Sequence, residues 1–478
     1  MRLRAWTTAL CCAAALTGYG TLPADATPPG IHDPAGTADS PNSLAVREET
    51  PMAAPCQGGS SGAQILVPEQ TTPGSDVPER PETLHAGFQQ ADKALLAFTS
   101  RNNRFTFTLG GSLIVRGSYD FAGAVDNIDF VPYDIHVPGN YATRQKISMD
   151  ASTSRLFMKA IAHSGALGRV VIYIDADFRG GAPGSYTPRL RSAYVSALGF
   201  TLGRDVTTFC DLQAAPTTID FQGPNAYNFN FATVARYEVD FARDHMRFGV
   251  ACELPSVSGT YNDNFAPIPQ RMPDFPFYLR YAWGADLDSH IRATGVIRNL
   301  YMHNLLTGSN TSRIGWGAQL SGTIRMGRPF RLFFNGVYGE GITPYIQDLT
   351  GSGLDFAPNP ENPAQMQTMP MWGWQAALQI NLSKRLFMTG GYSTVRVEEQ
   401  NGYISPNEYR QGQYIFGNIF YALTPHCKIA AAYLSGPRAN MDRVAASPHP
   451  LSSHVQYGFR FLATARPIGG APCGSCTR

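Results

Sequence analysis

Polar and apolar residues alternate along most of the chain between residues 104 and 462. In RFTFTLGGSLIVRGSYD, residues 104–120, the two kinds of side chain fall on opposite faces of an extended segment. The apolar face carries Phe105, Phe107, Leu109, Leu113, Val115 and Tyr119, and the polar face carries Thr106, Thr108, Ser112, Arg116, Ser118 and Asp120. Strands of soluble proteins usually have about 5–6 residues, whereas a tilted strand that crosses a membrane needs about ten. The pattern therefore predicts a membrane-spanning strand.

The same period of two returns in about 16 segments along the chain. Clear examples are residues 229–241, 313–325, 371–381 and 453–462. Tight turns and long loops alternate between the segments, as they do in outer-membrane barrels with an even number of strands and both termini in the periplasm. Since a sheet in lipid must close on itself to satisfy its edges, we predict an all-β chain. Its main domain is a transmembrane antiparallel β-barrel over residues 104–462.

A soluble sandwich or propeller would also show alternation, but its apolar faces would point inward. Two features favour contact with lipid. The apolar faces end in aromatic residues, such as Phe105 and Tyr119 or Phe231 and Phe241, as interfacial girdles do. The opposite faces carry isolated Arg, Gln and Thr residues, which suit a water-filled interior.

The segments before and after the barrel differ from it in composition. Residues 1–26 are typical of a cleaved signal peptide, and no later run of about 18 apolar residues occurs. Residues 27–80 are rich in Pro, Gly, Ser and Thr and predict a disordered linker. Residues 81–100 predict a short periplasmic helix, which either forms a coiled coil or lies against the barrel mouth. Its apolar seam is Leu84, Phe88, Ala91, Leu95 and Phe98. Residues 463–478 form a tail, whose Cys473 and Cys476 are too isolated to predict a metal site.

Composition narrows the classes of partner. The formal net charge of +2 over 478 residues implies no nucleic-acid partner. The six cysteines that follow the signal peptide are too scattered for a disulfide scaffold. The sequence indicates no cofactor.

The connection DLQAAPTTIDFQGPN, residues 211–225, fits neither a strand nor a helix, although strands are predicted on both sides of it. A barrel of about 16 strands encloses a channel that its own side chains cannot fill. A stiff loop folded inward would narrow that channel, and prolines, glycine and asparagine supply stiffness and tight turns. The alternative is an outward surface loop. The candidate constriction residues are Asp211, Pro216, Asp220, Phe221, Gly223, Pro224 and Asn225.

This region resembles the third loop of the DcaP-like porins of Gram-negative bacteria. The resemblance rests on RDVTTFCDLQAAPTTIDFQGPN, residues 204–225, and the barrel layout extends it from about 104 to 462. It implies a homotrimer with a short N-terminal coiled coil, set among outer-membrane lipid and lipopolysaccharide. It also implies passage of small, often anionic, hydrophilic solutes. Two features depart from the family pattern: Cys210 stands where methionine is common, and a tail follows Phe461.

Arginines on the inward faces suggest a basic wall. The principal ones are Arg116, Arg189, Arg191, Arg236, Arg280, Arg313 and Arg325, whereas the predicted inward carboxylates are fewer: Asp175, Asp177, Glu238, Asp240 and Glu253. Rings of basic side chains favour anions in pores. A weak anion preference is expected, although the same residues can also stiffen the wall through hydrogen bonds.

Other functions have less support in the sequence. No G-x-S-x-G, H-E-x-x-H or P-loop motif occurs, and His303 near the outer rim has no convergent partner that the sequence reveals. We therefore expect no enzyme activity. The alternative to a porin is a surface-exposed barrel that acts as an adhesin or binding protein through the loops at 120–150 and 340–370.

Overall fold

The computed structural model describes residues 94–465, except 101, 103, 126–127, 138–140, 183, 285, 403, 425–426 and 442–453. The predicted signal peptide, the linker and most of the tail lie outside the described residues. Among the described residues, no helix is both long and apolar enough to cross a membrane.

The period of two produces strands with one exposed and one covered face. In β13, Ser309–Met326, the side chains of Ile314, Trp316 and Leu320 are 68%, 41% and 52% exposed. Their neighbours Gln319 and Ser321 are buried. The predicted alternation of outward apolar and inward polar residues is confirmed in this strand.

The described residues form twenty-one strands. The first eleven are β1 Ala94–Thr99, β2 Phe105–Ala122, β3 Lys146–Asp150, β4 Arg155–Ser164, β5 Gly168–Asp177, β6 Arg189–Ala197, β7 Phe200–Val206, β8 Phe231–Phe241, β9 Met246–Glu253, β10 Phe265–Pro267 and β11 Phe275–Trp283. The others are β12 Ser289–Asn304, β13, β14 Phe330–Glu340, β15 Phe356–Pro358, β16 Met366–Thr368, β17 Pro370–Asn381, β18 Leu386–Val397, β19 Tyr409–Thr424, β20 Cys427–Asn440 and β21 His454–Ala465.

Sixteen of the nineteen strands in the main sheet form a closed antiparallel ring. Each ring strand pairs with the next in the order β2, β4–β9, β11–β14 and β17–β21. The last strand, β21, pairs with β2 and closes the ring. The predicted fold class, an antiparallel barrel of about 16 strands, is confirmed.

The three remaining strands of this sheet complete its borders. β3 continues the line of β4 and pairs with residues 116–120 of β2. β10 pairs with residues 302–304 at the end of β12. β1 continues the line of β21, because β21 ends at the pair Ala465 and Leu113 whereas β1 starts at the pair Ala94 and Gly110. β1 thus supplies hydrogen-bond partners to the half of β2 that β21 does not reach, where a bare edge would be costly.

The predicted helix over residues 81–100 is therefore wrong for Ala94–Thr99, which is strand β1. Phe98, assigned to the helical seam, instead packs beside Phe107 of β2, with ring centroids 6.4 Å apart. The edge of β2 outweighs the local helical spacing. Leu84, Phe88 and Ala91 lie outside the described residues.

Tight turns and long loops alternate around the ring. The long connections are L1 (123–145), L2 (178–188), L3 (207–230), L4 (254–274), L6 (341–369), L7 (398–408) and L8 (441–453). The loop expected at 301–312 is only the turn L5 (305–308), because β12 and β13 extend further than predicted and pair up to Asn304 and Ser309. The strongest departure from simple barrel packing is that L1, L3 and L6 carry many buried residues.

Candidate functional site

L3 is buried along almost its whole length. It starts with a short 3₁₀ turn, Leu212–Ala214, whose N-cap is Asp211: the carboxylate accepts a hydrogen bond from the backbone N–H of Gln213. Pro216 and Pro224 are buried further along. Gly223 has a φ of +71°, a conformation that few residues other than glycine adopt easily. These features give L3 an irregular but defined path.

Seven neighbouring strands from β11 to β19 each present one polar side chain to L3. We call these residues the anchor row: Arg280, Arg292, Ser321, Asn335, Gln375, Ser393 and Tyr414. Each is the direct register partner of the next, so the row runs perpendicular to the strands across the inner wall. Every member hydrogen-bonds to L3.

The first limb of L3 is held by four members of the row. Asp211 accepts a hydrogen bond from the Ser321 hydroxyl, 2.8 Å away, and also lies 2.8 Å from Nε2 of His290. Arg280 donates to Oε1 of Gln213 at 2.8 Å. Arg292 donates to the carbonyl of Thr208, and Gln375 donates to the carbonyl of Ala214. The limb therefore lies against β11, β12, β13 and β17.

The middle of L3 reaches β19. Asp220 accepts hydrogen bonds from the Tyr414 hydroxyl at 2.9 Å and from the backbone N–H groups of Phe130 and Gly223. The backbone N–H of Ile219 donates to Oδ1 of Asn418. Because Phe130 belongs to L1, the same carboxylate joins L3 to a second loop.

The returning limb of L3 is held by amide and hydroxyl groups. Ser393 donates to Oδ1 of Asn225 at 2.7 Å and accepts from the N–H of Ala226 at 3.0 Å. Asn335 donates to the carbonyl of Ala226 at 2.8 Å and to Oδ1 of Asn228 at 2.7 Å. These bonds fix both limbs of L3 on one side of the ring.

Phe221 contacts arginines on a part of the ring that the anchor row does not include. The guanidinium carbons of Arg179 in L2, Arg191 on β6 and Arg116 on β2 lie 4.6, 5.6 and 5.8 Å from the centroid of its ring. Such contacts each contribute about 0.5–2 kcal/mol. Phe221 thus connects L3 to β2, β6 and L2.

The structure pairs most of the predicted basic wall with carboxylates. Five of the seven principal arginines form ion pairs: Arg116 with Asp129 and Asp150, Arg189 with Asp177, Arg191 with Asp175 and Asp177, Arg236 with Asp205 and Glu238, and Arg325 with Asp288. Arg280 and Arg313 instead donate to the uncharged oxygens of Gln213 and Met366. The excess of positive charge is smaller than the sequence suggested, because four of these acids were not among the predicted inward carboxylates: Asp129, Asp150, Asp205 and Asp288.

Burial and charge oppose each other at two acids in these loops. Burial disfavours the Asp129 carboxylate, yet Arg179 and Arg116 outweigh that effect and hold its pKa well below the usual range. The same competition holds at Asp211, where His290 and Arg292 lower the pKa of a buried carboxyl. Both groups are therefore ionised at neutral pH.

The contacts of Asp211 differ from those of a hydrolytic triad. Ser321 and His290 both bond to the same carboxylate oxygen, Oδ2, so the histidine does not stand between the serine and the acid. Among the described residues, no group of His, Cys, Asp and Glu side chains is arranged to hold a metal ion. The cluster is suited to fixing a loop.

The predicted constriction residues fall into two groups. Asp211, Asp220, Phe221 and Asn225 make the specific contacts described above, whereas Pro216, Gly223 and Pro224 shape the backbone. Most of the anchor row and the participation of L1 and L6 were not predicted from the sequence. Gln375 was recognisable as inward-facing from its alternation, but its alignment with Ser393 and Asn335 depends on strand register, which the alternation alone does not give.

Comparison with known proteins identifies the family of this chain. The family described as DcaP outer membrane protein matches residues 90–338, and no curated protein matches the chain. The solved outer membrane channel DcaP of Acinetobacter baumannii shares the fold with a TM-score of 0.66 and 19% identity, over 77% of this chain and 99% of that chain. 

Two other solved proteins are less similar. The anion-selective porin from Comamonas acidovorans has a TM-score of 0.49 and 11% identity, over 76% of this chain and 99% of that chain. OmpT, an outer membrane protein of Vibrio cholerae, has a TM-score of 0.47 and 11% identity, over 76% and 98%. Because the family match spans more than half of the 478 residues, this chain belongs to the DcaP outer membrane protein family and is a porin-like barrel of the bacterial outer membrane.

Proposed function

We propose that the protein is a diffusion porin in which L3 narrows a water-filled channel for small hydrophilic solutes. The observation that carries this proposal is the anchor row, which holds both limbs of L3 against the inner wall from β11 to β19. A typical hydrogen bond contributes about 0.5–1.5 kcal/mol net, so displacement of the whole loop would cost several times that amount. L3 is then held against the wall as a constriction, and transport is passive.

We propose that solutes pass along the partly exposed side of L3. The side chains of L3 that stay partly exposed are Leu212, Gln213, Thr217, Phe221, Gln222 and Asn230. Opposite Phe221 stands the wall of β4–β6, where Arg155, Asp175, Arg191 and Asp177 form a continuous series of ion pairs. We place the narrow part of the channel between this wall and the partly exposed residues of L3.

We further propose a weak preference for anions. Arg280 and Arg292 are register partners on β11 and β12; they donate to the carbonyl oxygens of Gln213 and Thr208 and form no ion pair with a described carboxylate. Arginine remains charged at any accessible pH and raises the local concentration of anions. The preference is weak because most other lumen arginines are neutralised by ion pairs.

The test is single-channel conductance of the purified protein in planar bilayers. Deleting Ala214 to Asp220 removes the middle of L3 and should enlarge the conductance, whereas a deletion of equal length in L7, residues 399–405, should leave it almost unchanged. An unchanged conductance after the L3 deletion would place L3 outside the conducting path. Absence of stepwise current from the intact protein would favour the adhesin function instead.

The assembly belongs to the same proposal. The family resemblance implies a homotrimer surrounded by outer-membrane lipid and lipopolysaccharide. Native mass spectrometry of the detergent-solubilised protein would give a mass three times that of the mature chain, and a monomer mass would contradict this part of the proposal.

A further inference from the structure

Asp348 in L6 joins four separate parts of the molecule. Its side chain is 2% exposed and lies in the short 3₁₀ turn Gln347–Leu349. Oδ1 accepts a hydrogen bond from the backbone N–H of Tyr133 in L1 at 3.1 Å. Oδ2 accepts from the Tyr409 hydroxyl on β19 at 2.6 Å and from Nδ2 of Asn225 in L3 at 3.4 Å. One carboxyl group therefore holds L1, L3 and L6 on the barrel wall.

The hydrogen-bond partners of Asp348 are all uncharged, which distinguishes it from Asp129, Asp211 and Asp355. Asp129 pairs with Arg116 and Arg179, Asp211 with His290, and Asp355 with Arg298. No described Lys, Arg or His forms an ion pair with Asp348. A buried carboxylate without a cation is costly to ionise.

The charged groups around Asp348 do not offset the cost of ionising it. Asp134 in L1 repels its negative charge, and Glu408 acts on the neighbouring Tyr133. The nearest cation described in these contacts is Arg438 on β20, whose guanidinium carbon lies 5.4 Å from the centroid of the Tyr133 ring and 5.6 Å from that of Tyr409. Arg438 thus faces the two aromatic partners of Asp348 and donates its hydrogen bonds to the carbonyls of Tyr133 and Ile135.

The site can accept a proton without losing a hydrogen bond. A proton on Oδ2 can be donated to the Tyr409 oxygen, while the Tyr409 hydroxyl turns toward the carbonyl of Val395, 3.5 Å away. The bond from Tyr133 to Oδ1 is retained. The neutral form is therefore held by the same parts of the molecule as the ionised form, without the cost of a buried charge.

We propose that Asp348 is a proton-controlled latch that closes L1, L3 and L6 into one plug when it is protonated and loosens the plug when it is ionised. This extends the proposed porin function to its regulation. The plug is tight in acidic medium, and its loops leave the wall more often in neutral or alkaline medium.

The pH window follows from the environment of the group. Burial raises the pKa of Asp348 to about 6, against which the bonds from Tyr409, Tyr133 and Asn225 act only partly. An exposed aspartate has a pKa of about 3.9. Because the closed state binds the proton more tightly than the open state, closure is favoured as the pH falls through 6. For these two pKa values, linkage gives about a tenfold change in the open population between pH 5 and pH 8.

Hydrogen–deuterium exchange of the full-length protein in detergent micelles tests the latch without measuring channel conductance. After correction for intrinsic rates, peptides covering 130–135, 222–228 and 343–350 should be protected about tenfold more at pH 5 than at pH 8. Asp348→Asn, which cannot ionise, should keep high protection at both pH values. Glu361→Gln, a matched change of an exposed acid in the same loop, should behave as the wild type.

Tyr409→Phe gives a second, independent check. Removing the hydroxyl that favours the ionised carboxylate should raise the midpoint of the protection change to higher pH. The latch is overturned if the wild-type protein shows equal protection at both pH values, or if Asp348→Asn retains the pH dependence. Failure of the porin function would appear in bilayer recordings and leave the exchange result intact, so the two outcomes are distinguishable.

Discussion

The imidazole of His290 on β12 and the carboxylate of Asp211 in L3 lie 2.8 Å apart, and both side chains are almost completely buried. This contact holds the first limb of L3 against the inner wall, beside the anchor row. Ser321 donates to the same carboxylate oxygen. Removal of the charge at residue 211 would leave two donors with a poorer acceptor.

Asp211→Asn is expected to lower stability at neutral pH by about 1–3 kcal/mol, the usual cost of spoiling a buried charged hydrogen bond. The pKa of Asp211 is lowered in the folded protein, so its contribution is present above the unfolded value and is lost as the pH falls through the folded value. Thermal unfolding followed by circular dichroism would show a lower Tm for the variant at pH 7.

The matched control for this change is Asp263→Asn, since Asp263 is an exposed acid in L4. It should leave the Tm within experimental error. The difference in Tm between Asp211→Asn and the wild type should shrink at pH values below the pKa of an ordinary aspartate. A difference in Tm that stays constant down to the lowest pH tested would show that the charge of Asp211 does not stabilise the protein.

Phe221→Ala should increase single-channel conductance. The substitution removes a half-buried ring and its contacts with Arg179, Arg191 and Arg116, and it leaves the charge unchanged. The gain should be smaller than that from deleting Ala214 to Asp220. Tyr186→Ala, which removes an exposed ring from L2, serves as the control and should have no effect. Equal conductance of Phe221→Ala and the wild type would place the ring away from the narrow part.

The strands were predictable from sequence because lipid and water impose opposite demands on successive residues. In β13 the exposed Trp316 and the buried Gln319 follow directly from alternation. Strand β1 was not predictable in this way, since Phe98 and Leu95 also fit a helical spacing, and only the unpaired edge of β2 selects the strand.

The site was predictable only in part, because its contacts join residues distant in sequence. Stiffness and turn residues pointed to L3, but Asn225 meets Ser393 across 168 positions and Phe130 meets Asp220 across 90. Some of the acids that pair with these arginines, such as Asp129 in L1, lie in loops to which a period of two does not apply, whereas Asp175 and Asp177 lie on β5. Charge counting along strands alone therefore overestimated the basic wall.

Arg280→Gln tests the proposed preference for anions and should reduce it. Arg280 donates to Gln213 and forms no ion pair with a described carboxylate, so its charge is less compensated than that of Arg191 or Arg189. Reversal potentials under a salt gradient should move toward the value for a non-selective channel. Arg328→Gln removes the same charge from an exposed turn and should change the potential much less. A cation preference in the wild-type protein would refute the proposed basis of selectivity.

Nitroxide labels along β13 should report a period of two in their accessibility to lipid. Single cysteines would be placed at 316–321 in a variant whose native cysteines, including the exposed Cys252, are replaced. Labels at 316, 318 and 320 should collide most often with oxygen, which concentrates in lipid, because these positions face outward. Labels at 317, 319 and 321 should be shielded, since Gln319 and Ser321 are buried toward L3 and the inner wall. The opposite pattern, with residues 316 and 320 shielded from lipid, would mean that the apolar face packs against protein. That result would exclude both the barrel and its channel.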